Sequence, residues 1–162
     1  MSMLDDIRVI MAQERELMLR RGDALAQAFI AHQQQAKEFH PLSQWGKHTL
    51  RVRARRVVIS FEWFWTEFRG PRGHREMRYH TVARGRGHRY PDAVFQRAPA
   101  WERKLIQEIE DTLEPLRRRA EVLLKIEQHL KVYERIRGQG DPLEIYDWPP
   151  KRPDPEDDDI PF

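Results

Sequence analysis

Across Thr49–Thr66 the apolar residues fall into a two-residue period. Val57, Ile59, Phe61, Trp63 and Trp65 alternate with Val58, Ser60, Glu62, Phe64 and Thr66. Such alternation describes a strand with one buried face. The phase slips between Ala54 and Val57, which predicts a bulge or short break near Arg55-Arg56. Gly70-Pro71-Arg72-Gly73 is turn chemistry. A return strand follows, with Met77, Tyr79, Thr81 and Ala83 on one face. The expected centre is an antiparallel hairpin or a three-stranded sheet.

On either side the rhythm lengthens to threes and fours. Leu4, Ile7, Met11, Leu17, Met18, Leu25, Phe29 and Phe39 mark a helix over residues 3–39. Gly22-Asp23 leaves one helix or two open, and His40-Pro41 ends the segment. Pro99 suits the first turn of a second long helix, with Trp101 and Glu102 behind it. Its apolar stripe runs through Trp101, Leu105, Ile109, Leu113, Leu116, Ala120, Leu123, Ile126, Leu130 and Tyr133. Pro115 is expected to kink that helix or split it, and Arg137-Gly138-Gln139-Gly140 closes it. The fold class is therefore α+β, with long N- and C-terminal helices packed on a small antiparallel sheet. Residues 1–140 form the expected domain. Residues 141–156, with five prolines, read as a linker, and 157–162 as a disordered acidic tail.

The chain has 162 residues, enough to bury a core without staples. No apolar run approaches the roughly 20 residues of a membrane span, and the acidic start Met1-Ser2-Met3-Leu4-Asp5-Asp6 is unlike a secretory signal. A cytoplasmic protein with no membrane partner is the expectation. Cysteine is absent, which removes disulfides, thiol nucleophiles and zinc-thiolate sites.

The net charge of +3 conceals a division. Residues 47–104 hold fifteen Lys or Arg against five Asp or Glu, whereas the last twelve residues hold two basic and five acidic side chains. One field cannot serve both ends, so two kinds of partner are expected. Arg51, Arg53, Arg55 and Arg56 lie on or before the first strand. Arg69, Arg72, Arg75 and Arg78 surround the turn, and Arg84, Arg86 and Arg89 belong to an Arg-Gly-Arg-Gly-His-Arg loop. Arginine forks match phosphate oxygens, and glycines allow close backbone approach. These arginines are the candidate DNA contacts, with a salt dependence of roughly a thousandfold between 50 and 200 mM if about six meet phosphates. Alternating aromatics ordinarily pack against helices. Trp63 and Trp65 are therefore assigned inward, while Phe64 and Phe68, on the opposite face, are the candidates for stacking on bases.

No catalytic constellation is legible. His74, His80 and His88 match no zinc spacing and are read as phosphate helpers or loop caps. Arg84-Gly85-Arg86-Gly87 lacks the lysine and hydroxyl of a nucleotide loop. Glu108, Glu110, Asp111 and Glu114 read as a solvated acidic face near a helix start. The expectation is a non-enzymatic protein without metal or cofactor.

The segment Pro155-Glu156-Asp157-Asp158-Asp159-Ile160-Pro161-Phe162 resembles the C-terminal tail of bacterial single-stranded DNA-binding proteins. There the tail recruits helicases, nucleases, primase, topoisomerase or restart factors, the last phenylalanine entering an apolar pocket while a basic residue holds its carboxylate. The residues suit that role: Phe162 is a rigid anchor, Pro161 limits the freedom lost on docking, Ile160 adds apolar surface, and Asp157, Asp158 and Asp159 steer toward a basic rim. The resemblance stops at the tail, since those proteins carry a five-stranded barrel for which this chain has too few strands.

The order of a long helix, an aromatic hairpin with Trp63 and Trp65, a glycine-rich basic loop and a Trp101-Glu102 helix resembles MobI-type conjugative transfer proteins over residues 45–135. That resemblance implies an accessory factor acting at a transfer origin with a relaxase. The leading expectation is a DNA-binding accessory protein of conjugative transfer, replication or repair. Its alternative is an adaptor or decoy that competes for tail-binding pockets without touching DNA. Long amphipathic helices also permit a homodimer.

Overall fold

A computed structural model describes residues 2–139. The chain divides into two units, Met1–Ile126 and Glu127–Phe162. The first holds helix α1 (Met3–Ala36), strands β1 (His48–Arg55), β2 (Val58–Arg69) and β3 (Glu76–Thr81), and most of helix α2 (Ala100–Arg137). In the second, the described residues comprise the last turns of α2 and the turn up to Gln139, with a Lys131–Glu127 pair at 3.9 Å. The expected tail, 157–162, and the linker lie outside the described residues. The α+β class is as the periodicities imply.

Ser2 caps α1, its hydroxyl accepting from the Asp5 amide while the Asp5 carboxylate takes the Ser2 amide, which satisfies two donors the first turn leaves open. Gly22 does not break the helix. It is buried, and a Cβ there would stand 2.3 Å from the Phe61 ring. The residue is glycine because the helix crosses β2 closely at this point.

The slip at Arg55-Arg56 is neither a bulge nor a break within one strand. It is a tight hairpin. Arg55 pairs with Val58, leaving Arg56 and Val57 as a two-residue loop. Arg56 takes φ 56°, the left-handed conformation that such hairpin turns require at their first position. The sheet therefore has three antiparallel strands in the order β1-β2-β3. Leu50 faces Trp63, Val52 faces Phe61, and Phe68 faces Met77.

Leu50, Phe61 and Trp63 are buried with Met18 and Phe29 of α1 and Ile106, Leu113 and Leu116 of α2. Phe29 and Phe95 both meet Trp63 edge-to-face, the geometry their ring quadrupoles favour. Pro115 neither ends nor divides α2. Leu113 and Leu116, both buried, hold the helix to the core on each side of it, and that packing outweighs the missing N–H.

Two carboxylates from α2 enter this core. Glu102, fully buried, accepts from the Lys47 and His48 amides, from Gln33 Nε2 at 3.0 Å and from His48 Nδ1 at 2.7 Å. Glu110, read above as part of a solvated face, is 1% exposed. It accepts from both terminal nitrogens of Arg117 at 2.8 Å, from Trp63 Nε1 and from the Tyr90 amide. Arg117 also donates to the carbonyls of Phe61 and His88. Buried charges survive where pairing and hydrogen bonds replace water. These two hubs tie α2 to the start of β1 and to the centre of β2.

Candidate nucleic-acid interface

Because side chains alternate along a strand, burying Leu50, Phe61 and Trp63 turns their neighbours outward. The outer face carries Arg51, Arg53 and Arg55 on β1, Phe64 and Phe68 on β2, and Met77 and Tyr79 on β3. The three arginines are exposed, as are Phe68 at 62% and Tyr79 at 63%. Large aromatics left in water across one face form an apolar patch, which marks an interaction surface.

The patch is ordered. The Arg51 guanidinium lies over the Phe64 ring, 3.8 Å from its centroid. Arg53 stands 3.8 Å from Glu62, a loose pair that leaves most of its fork open. Tyr79 is opposite Thr66, midway between Phe64 and Phe68. Successive rings in the series Phe64, Tyr79, Phe68 are thus diagonal neighbours, roughly 7–8 Å apart. That is about twice the 3.4 Å rise between stacked bases of a duplex.

The remaining sequence candidates separate by position. Arg56 is exposed in the β1–β2 turn, and Arg72 and Arg75 are exposed in the β2–β3 connection. Arg69 and Arg78 alternate onto the opposite face, paired with Glu67 at 3.0 Å and Glu76 at 3.4 Å. Arg84 and Arg86 belong to the loop beyond β3. Arg89 lies against α2, bonded to Asp111 at 2.7 Å and close to Glu114. The Asp111 carboxylate raises the Arg89 pKa further. Its charge is held by the helix. Asp157 to Phe162 lie outside the described residues.

The histidines are also placed. His80 stacks on Trp65 with centroids 4.2 Å apart and bonds Glu67 at 2.8 Å. The Glu67 carboxyl is lowered by Arg69 first and then by His80. His88 bonds Glu121. Among the described residues, no group of three His, Cys, Asp or Glu could hold a metal, and no helix is long and apolar enough to cross a membrane.

One basic aromatic feature escaped the sequence reading. A groove of about 1100 Å³ beside the start of β1 is lined by Lys37, Trp45, Lys47, Arg75 and Arg97, and it reaches Phe68 and Met77. Lys37 sits over Trp45 at 4.8 Å, and Arg97 over Trp65 at 4.1 Å. These residues come from four separate stretches, so only the fold brings them together.

The MobI protein family matches residues 18–131. The chain belongs to the MobI family. The matched span takes in the whole sheet, the groove residues and most of both helices, while residues 157–162 lie beyond it. Membership ties the protein to mobilisation of DNA by conjugation. No curated protein and no solved structure matches it.

Proposed function

We propose that this MobI protein is a non-enzymatic accessory factor of conjugative transfer that holds single-stranded DNA on the outer face of its sheet. The observation that carries the reading is the outward series of half-buried Phe64 and exposed Tyr79 and Phe68, flanked by Arg51, Arg53 and Arg55. Aromatic rings bind bases through their faces, and those faces are available only when the bases are unstacked. A ring spacing about twice the duplex rise suits an extended strand. The β1 arginines run alongside as a phosphate track, and the Lys37–Arg97 groove continues the basic surface past Phe68.

Asp157–Phe162 complete the proposal as a segment for recruiting helicases, nucleases or restart factors of the kind that bind acidic, aromatic-ended tails. Strand capture by the sheet and recruitment by the tail would bring such a partner to exposed DNA at a transfer origin.

Fluorescence anisotropy of the full chain with a labelled oligothymidylate and a matched duplex tests the DNA reading. The expected outcome is preferential binding of the single strand, weakened by roughly two to three orders of magnitude between 50 and 200 mM salt. Absence of binding at low salt would leave the adaptor reading in its place.

A further inference from the structure

On one side β2 outruns its neighbour. β3 ends at Thr81, opposite Phe64, so among the described residues no third strand lies beside the first residues of β2. The 84–88 loop and α2 flank that edge, and with β2 they wall a cavity of about 480 Å³. Its polar lining holds three arginines, Arg84, Arg86 and Arg117, with His88, Ser60 and Glu121.

Most of these groups are already engaged. Arg117 is committed to Glu110 and to two backbone carbonyls. Glu121 is held by His88 and by Lys125 at 2.9 Å, so its charge is balanced. Arg84 differs. Its Nε is buried and has no hydrogen-bond partner among the described residues, so no neighbouring group neutralises it there. Arg86, two residues on, is exposed. Two guanidinium forks therefore remain for an anion, while Ile59 and Leu124 give the cavity an apolar wall.

We propose that this cavity binds the phosphomonoester of a nucleotide. Arg84 and Arg86 would hold the phosphate dianion, and the apolar wall would receive the sugar or base. Walls from three elements favour a terminal group over a backbone phosphate, which must both enter and leave. The same chemistry is offered by a free nucleotide and by the phosphorylated end of a DNA strand. The site is separate from the outer aromatic face and does not depend on the DNA reading.

The test uses the full chain with four probes: dTMP, thymidine, and an oligothymidylate with or without a 5′-phosphate. The expected result is that dTMP raises the melting temperature and thymidine does not, or that the 5′-phosphate tightens oligonucleotide binding about tenfold. The first effect identifies a free nucleotide and the second a strand end. Either effect should vanish in Arg84→Gln and Arg86→Ala; Arg86 is exposed, so its variant keeps the test valid if the other misfolds. Phe64→Ala should weaken both oligonucleotides equally and leave the phosphate effect intact. If no oligonucleotide binds, the DNA reading fails and dTMP alone decides the pocket. Neither effect in the wild type, or effects that persist in folded Arg86→Ala, would overturn the proposal.

Discussion

Arg51 stacks on Phe64 across the β1–β2 pair, its guanidinium 3.8 Å from the ring centroid, on a face that carries no buried apolar residue. Stacking fixes the plane of the guanidinium while leaving its N–H edge free for phosphate. Phe64 is thus the platform of the nearest cation and, in the function proposed above, a ring for bases.

Replacing Phe64 or Phe68 by alanine should weaken single-stranded DNA binding by about 1–3 kcal/mol each. Phe68, 62% exposed, contributes little to the core, so Phe68→Ala should melt within about 0.5 kcal/mol of the wild type. Substitution by Tyr or Trp should preserve affinity. Anisotropy and thermal melts of the same preparations check both parts.

Gly22→Ala should destabilise the protein by about 1–3 kcal/mol, although alanine is the better helix former. The added Cβ would meet Phe61 Cε1 at 2.3 Å and Val52 Cγ2 at 3.1 Å. Phe61 is fully buried and has little room to retreat. Denaturant unfolding measures the loss.

Arg117→Met should cost about 3–5 kcal/mol, because it leaves the Glu110 carboxylate buried without its cation. Pairing it with Glu110→Leu should recover only part of that loss. Trp63 Nε1 and the Tyr90 amide would then lack the acceptor that Glu110 gives them. A double-mutant cycle in urea separates the terms.

Lys125 and, after it, His88 hold the Glu121 carboxyl down from its ordinary 4.5 to about 2. A depressed carboxyl contributes stability above its unfolded pKa and loses it as pH falls through the folded value. The melting-temperature difference between wild type and Glu121→Gln should therefore shrink as pH falls from about 4.5 to 2. Thermal melts at half-unit pH intervals follow it.

What could be read before folding was what depends on near neighbours. The two-residue period put Trp63 inward and Phe64 outward, and the longer period delimited both helices. The Arg56-Val57 hairpin was missed because it contains none of the Gly, Asn or Asp that announce such turns, so its phase slip looked like a bulge. Glu102 and Glu110 were invisible as core residues because their partners stand far off in the chain: His48 is 54 positions from Glu102, and Trp63 is 47 from Glu110. The basic groove was hidden likewise, since Lys37, Trp45 and Arg97 share no local pattern.

Ultraviolet crosslinking of oligothymidylate to the full chain, with the modified residues located by mass spectrometry, tests the central claim most directly. Crosslinks at Phe64, Phe68 and Tyr79, competed away by unlabelled single strand and not by duplex, are the predicted result. Crosslinks confined to α1 or α2, with the three outer rings unmodified, would contradict it.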